Sequence, residues 1–146
     1  VQRQGQMRLH VINADGSAAR KVAGELEVRG APAWSPDGAW IAIAALRDGE
    51  PRLFKVDATD GTPPIALGED YALDPVWSPS GRFLLYTGRD VGTVMPVKAI
   101  NADGTPHALQ ELFLTRGSRR LEYLGVDDAP RVILAPRLEV RSRVLG

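Results

Sequence analysis

Cysteine is absent from this 146-residue chain, and histidine occurs only twice. Without a thiol there is no disulfide framework, no cysteine nucleophile and no thiolate metal site, although that absence identifies no compartment. A zinc site would need His10 and His107 together with a carboxylate. The two fall at different positions of the pattern set out below, so strand and loop roles are expected for them and no metal site. Net charge is lacking too. Eighteen basic residues balance eighteen acidic ones, leaving no overall field to attract nucleic acid or an anionic membrane. Only residues 116–146 lean basic, with seven arginines against four acids, a weak pointer to an acidic partner. The longest apolar run, residues 40–46, falls far short of the ~20 residues a membrane helix needs. No membrane insertion and no nucleic-acid partner are expected.

Motifs of known chemistry are missing as well. Neither Ser17 nor Ser118 sits in a Gly-x-Ser-x-Gly elbow, and no Gly-x-x-x-x-Gly-Lys phosphate loop occurs. Asn13, Asp15, Asp37, Asp60 and Asp103 lie in turn-rich stretches, but none has the spacing and bidentate Glu of a calcium loop. Ordinary turn chemistry is expected there. The carboxylate pairs Glu25/Glu27, Glu69/Asp70 and Asp127/Asp128 read as solvated charge in loops. No catalytic, cofactor-binding or metal-binding residue is therefore assigned, and no cofactor. The chain opens on Val1 with neither a charged n-region nor an apolar h-region. A fragment or processed form is expected, its signal peptide absent or removed.

What the chain does contain is repetition. Ala-Pro-Ala-Trp-Ser-Pro-Asp-Gly at 31–38 returns forty-three positions later as Asp-Pro-Val-Trp-Ser-Pro-Ser-Gly at 74–81. A second phrase alternates with it: Ile-Asn-Ala-Asp-Gly at 12–16, Asp-Ala-Thr-Asp-Gly at 57–61 and Ile-Asn-Ala-Asp-Gly at 100–104. A period of about 40–50 residues points to propeller blades or another stacked array.

One repeat reads as four strands: about 31–35, the Pro36-Asp37-Gly38 turn, 40–46, the Asp48-Gly49 turn, 52–57, the Asp60-Gly61 turn, and a short strand at 65–67. Asp-Gly supplies the positive φ angles of tight hairpin turns. The alanines of 40–46 suggest helix, yet a short run between two turns is how a strand reads, and the second copy replaces them with Phe83-Leu84-Leu85-Tyr86. Since that second strand is apolar on successive residues, both its faces should be buried between neighbouring blades.

The expected fold is all-β: a β-propeller-like array of four-stranded antiparallel blades, forming an incomplete ring of about three blades. Within a single domain, 6–29 is a half blade matching the last two strands of a repeat, 30–68 and 74–110 are blades, and 111–146 is a divergent blade or tail. Its alternation of Leu138, Val140 and Val144 with Arg137, Glu139, Arg141 and Arg143 fits an edge strand with one wet face. Propellers typically need four to eight blades, so the open ends should be covered, either by a second copy completing the ring or by further sequence of a longer propeller.

The run Pro32-Ala33-Trp34-Ser35-Pro36-Asp37-Gly38-Ala39-Trp40-Ile41-Ala42-Ile43, followed by Leu53-Phe54-Lys55-Val56 and Asp60-Gly61, resembles the TolB-like β-propeller repeat over about residues 6–110. The resemblance implies a six-bladed propeller, usually periplasmic, that makes protein contacts within an envelope complex. This chain departs from that family in lacking its N-terminal α/β domain and in a tail that stops matching near residue 124. The same repeat occurs in the propeller of prolyl-oligopeptidase-like hydrolases and in sensory portions of bacterial kinases and regulators. Both alternatives stay open at this point.

Trp34 and Trp77 share one register beside Ser-Pro, and with Pro36, Gly38, Pro79 and Gly81 they are assigned to the structural repeat, the indoles packing blade to blade. Trp40, without a counterpart, reads as core filling. Arg47-Asp48 and Arg89-Asp90 recur after the second strand of each repeat, placing the same pair at one end of adjacent blades. Those four residues are the candidate partner-binding loops, for a protein partner or a second copy; the plainer reading is an exposed local ion pair.

Overall fold

The computed structural model describes residues 6–59, 62–108, 112–115, 120–122, 128–129 and 131–133, and among them every regular element is a strand. The Asp60-Gly61 turn and the alternating segment 137–144 lie outside the described residues. A two-stranded antiparallel pair, β1 (Leu9–Val11) and β2 (Arg20–Val22), comes first. A four-stranded meander follows: β3 (Val28–Trp34), β4 (Trp40–Arg47), β5 (Glu50–Asp57) and β6 (Ile65–Tyr71). A second meander repeats it with β7 (Leu73–Trp77), β8 (Phe83–Thr87), β9 (Val94–Asn101) and β10 (Leu112–Thr115). Last comes the antiparallel pair β11 (Arg120–Glu122) and β12 (Arg131–Ile133).

Turn chemistry sets these boundaries. Asp48 and Gly49 adopt φ of 54° and 80°, so Arg47 pairs with Glu50 across a two-residue turn whose twist matches that of the strands. Between β3 and β4 the Ser35 N–H donates to the Trp40 carbonyl at 2.8 Å, and the Gly38 N–H donates to the Ser35 carbonyl at 2.9 Å. The strand expected at 65–67 runs on to Tyr71. Gly68, at φ 80°, takes up a register shift between the Arg52 and Phe54 pairings, and past that bulge the strand continues to pair.

The first meander is buried on both faces, and the period of two in a strand divides its side chains. Ile41, Ile43 and Ala45 of β4, with Phe54 and Val56 of β5, pack against Leu9 and Val22 of the opening pair. Ala42 and Leu53 face the other way, into a core with Trp77, Leu84, Tyr86 and Ile100 of the second meander. Sheets thus stack face to face in chain order.

The opening pair belongs to the outer half of a repeat. After β1, the Asn13 N–H donates to the Ser17 carbonyl at 2.9 Å and the Gly16 N–H to the Asn13 carbonyl at 2.8 Å. After β9, Asn101, Thr105 and Gly104 make the same two bonds at 2.9 and 2.8 Å. In both turns an Asp Oδ1 accepts the N–H two residues on, Asp15 from Ser17 and Asp103 from Thr105, each at 2.9 Å. β1 is therefore the counterpart of β9, the third strand of its meander.

Candidate functional site

Two ends of the array carry the recurrent polar residues. At one end lie the Trp-Ser-Pro turns. Ser35, almost fully buried, donates its hydroxyl to Asp37 Oδ1 at 2.6 Å and accepts the Trp40 N–H at 3.0 Å; Asp37 also accepts the Ala39 N–H at 3.0 Å. These donors hold the Asp37 carboxyl below its ordinary pKa, the Ser35 hydroxyl contributing most. Pro36 and Pro79 pre-set the turns, while Gly38 and Gly81 take nearly equal φ of 73° and 74°. Pro36 and Gly81 approach closely enough that a Cβ on Gly81 would lie 3.7 Å from Pro36 Cδ, so the turns of the two meanders lie side by side.

The second turn lacks the aspartate of the first, because Ser80 stands where Asp37 stands. Its carboxylate comes from Asp128. Oδ1 accepts the Ser80 N–H at 2.9 Å, Oδ2 accepts the Ser80 hydroxyl at 2.7 Å, and the Arg82 guanidinium donates to Oδ2 at 3.2 Å. Ser80 above all, then Arg82, holds this carboxyl below its usual range. The expectation of simple solvated charge at Asp128 is corrected here, and Asp127 lies outside the described residues. Ser80 itself was the available signal, a gap in an otherwise repeated turn.

Between the two turns opens a cleft of about 220 Å3, lined by Asp37, Trp40, Lys55, Trp77 and Ser80 among others. Lys55 crosses its floor: the ammonium donates to the Ala102 carbonyl at 2.7 Å and lies over the Trp40 ring, 4.5 Å from its centre. Trp40, expected as core filling, is half-buried at this boundary. The cleft is smaller than the roughly 300–1,000 Å3 of small-molecule pockets.

The two tryptophans of the repeat part company. Trp77 is 7% exposed, and its Nε1–H donates to the Ala33 carbonyl of the preceding meander at 2.9 Å. Trp34, expected to pack alike, is 54% exposed. The physical reason is the sheet in front of it. Trp77 rests on β3, a first strand, whereas the pair ahead of Trp34 consists of third and fourth strands, so among the described residues no inner strand stands before it.

At the opposite end, the structure brings Arg47, Asp48, Arg89 and Asp90 to the β4–β5 and β8–β9 connections, all exposed. Arg47 lies 5.7 Å over the Phe54 ring and reaches Glu69 at 4.0 Å. Arg89 crosses to the first meander, stacking 4.7 Å from the Tyr71 ring and pairing with Glu50. Lys98 and Asp70 add a pair at 3.7 Å. Exposed pairs of this kind contribute at most about 1 kcal/mol each, but Arg89–Glu50 and Lys98–Asp70 join the two meanders at this rim.

The histidines stay apart. His10 is exposed on β1, while His107 stacks on Phe83 with ring centres 4.1 Å apart and bonds Asn101 Oδ1 through Nδ1 at 2.9 Å. Among the described residues no three His, Asp or Glu side chains gather as a metal would require.

Comparison with known proteins agrees with this geometry. The TolB beta propeller domain matches residues 1–118. The Tol-Pal system protein TolB of Desulfosudis oleivorans is 28% identical over 81 residues, 56% of this chain and 18% of that protein. Its counterpart in Syntrophus aciditrophicus is 39% identical over 61 residues, 38% of this chain and 14% of that protein. The chain thus spans under a fifth of either relative. Among solved structures, a TolB-type protein from Agrobacterium tumefaciens superposes with a TM-score of 0.59 at 20% identity, over 74% of this chain and 42% of that one. TolB from Acinetobacter baumannii gives 0.58 at 22% identity, over 79% and 28%. Stacked four-stranded meanders, recurrent Trp-Ser-Pro turns and the matched span together place this chain in the TolB beta propeller domain family.

Proposed function

We propose that this chain is a non-catalytic propeller segment that works by binding protein, in the periplasm, as part of an envelope assembly of the Tol-Pal type. The exposure of Trp34 carries the reading. A tryptophan buries about 150–250 Å2 when covered, and its twin Trp77 shows this position built to lie beneath a neighbouring strand. A surface of that kind calls for protein and not for a small molecule. Completion of a six-bladed ring, by a second copy or by further sequence of a longer propeller, accounts for it, and leaves the rim of Arg47, Asp48, Arg89 and Asp90 as the face for a further partner. Arginines already oriented by ring stacking lose little freedom on docking.

The test is binding of the purified chain to a purified Pal-type envelope protein, followed by biolayer interferometry, for the parent and for Arg47→Glu with Arg89→Glu. Saturable binding by the parent and its loss in the double variant are expected. No saturable binding to any Tol-Pal component would overturn the proposal.

A further inference from the structure

We propose that the cleft between the two Trp-Ser-Pro turns is a binding site for a small zwitterion of the amino-acid class, its carboxylate held by the Lys55 ammonium and its ammonium by Asp37. The site lies at the end of the array opposite the arginine rim, so it goes beyond the protein binding read there and does not depend on it.

Lys55 is half-buried on β5, and among the described residues what it meets is neutral: the Ala102 carbonyl at 2.7 Å and the face of the Trp40 ring. The chain has three lysines. Lys21 pairs with Glu25 and Lys98 with Asp70, whereas Lys55 has no carboxylate at ion-pair distance among the described residues. Its charge reaches Asp103 only as the weakest of the influences that lower that carboxyl. An ammonium carries three donors and is strongly hydrated, so drawing one out of water onto a single carbonyl and a ring leaves it short of acceptors. A methionine would bridge the two meanders here without that cost. The charge is explained by an anion that enters the cleft Lys55 lines.

The opposite charge is fixed as firmly. Both bonds that Asp37 accepts, from the Ser35 hydroxyl and the Ala39 N–H, end on Oδ1. Oδ2 is left open on a side chain that also lines the cleft, and the two donors keep the carboxyl ionised. Pro36, Trp40, Trp77 and Gly81 add apolar surface to the lining. One cation and one anion together select against ligands of a single charge, since a second carboxylate meets Asp37 and a second ammonium meets Lys55. The volume of about 220 Å3 equals that of about seven waters at about 30 Å3 each. A ligand of roughly that many non-hydrogen atoms bearing both charges is a free amino acid or a very short peptide. Asp37, Trp40 and Lys55 come from the first meander, Trp77, Ser80 and Ala102 from the second, so the bound zwitterion joins the two sheets.

The probes are L-valine and glycylglycine, titrated into the unmodified, isotopically labelled chain and followed by heteronuclear NMR. Saturable shifts of the Trp40 indole N–H and of the Gly81 and Ala102 amides are expected with at least one of them, and the one that binds tells a free amino acid from a peptide as the source. Isobutyrate, which lacks the ammonium, and isobutylamine, which lacks the carboxylate, should bind about tenfold more weakly or worse, the effect of losing one charged hydrogen bond. Lys55→Met, which keeps an apolar stem beside Trp40, and Asp37→Asn, which keeps an acceptor for the turn, should each weaken the bound probe by a similar factor. Absence of a saturable shift with both probes overturns the proposal. So does isobutyrate or isobutylamine binding as well as the zwitterion, or undiminished binding by folded Lys55→Met protein. Should either variant fail to fold, the four probes on the unmodified chain decide the matter by themselves.

Discussion

Replacing Trp77 probes the joint between the two meanders, and its cost separates into two parts. The side chain is 7% exposed, so nearly all of its roughly 150–250 Å2 is withdrawn from water. At ~25 cal/mol per Å2 that burial is worth about 4–6 kcal/mol, close to the 3–5 kcal/mol typical of Trp→Ala in a core. A domain of this size is stable by only about 5–15 kcal/mol, so Trp77→Ala should remove a large share of its stability. Trp77→Phe is the informative change. It keeps an aromatic ring in the core but removes the Nε1–H that the Ala33 carbonyl accepts at 2.9 Å. Loss of the bond, with a carbonyl left short of a donor, costs about 1–2 kcal/mol. Urea unfolding followed by circular dichroism should show a lower midpoint with an unchanged slope. A Phe variant as stable as the parent would refute the joint; one as damaged as the Ala variant would show that the hydrogen bond and not the packing dominates.

Two more outcomes follow from the turns. Asp128→Asn should lower the thermal midpoint by uncapping the β7–β8 turn, and Ser80→Asp in that background should restore it by rebuilding the Asp37 arrangement; a double variant no better than the single one would refute the equivalence. Asp15, Asp37, Asp103 and Asp128 all have carboxyls held below their ordinary pKa, chiefly by Ser or Thr hydroxyls. Their stabilisation is thus present above the unfolded value of about 3.9 and is lost as pH falls through and below it. Thermal midpoints measured from pH 7 down to pH 2 should decline on the acid side, less steeply for Asp37→Asn, and an acid limb unchanged by that substitution would count against the assignment.

Local chemistry was what the sequence displayed best. Asp48-Gly49 announced its own turn, and the apolar run at 40–46 announced a strand wet on neither face, because φ preference and side-chain period are properties of adjacent residues. Fates decided at long range were not displayed. Trp34 and Trp77 sit in the same phrase, yet one is exposed and the other buried, since what covers each belongs to a different sheet. Arg89 reaches Glu50 and Tyr71 on the neighbouring meander, a choice invisible beside its own Asp90. Asp128 serves a turn forty-eight residues upstream, and only the irregular Ser80 hinted that a carboxylate was wanted there.

The face-to-face stacking in chain order makes this molecule behave as a short one-dimensional lattice, in which each layer is coupled only to the layers beside it. Cohesion then depends on position more than on composition. The first meander, with Ile41, Ile43, Leu53 and Val56 all at 2% exposure or less, has neighbours on both sides and opens only when the whole array does. The flanking layers lose fewer contacts on parting, so amide protons should exchange from the ends inward, slowest along β4 and β5. Melting would then travel through the chain as a front.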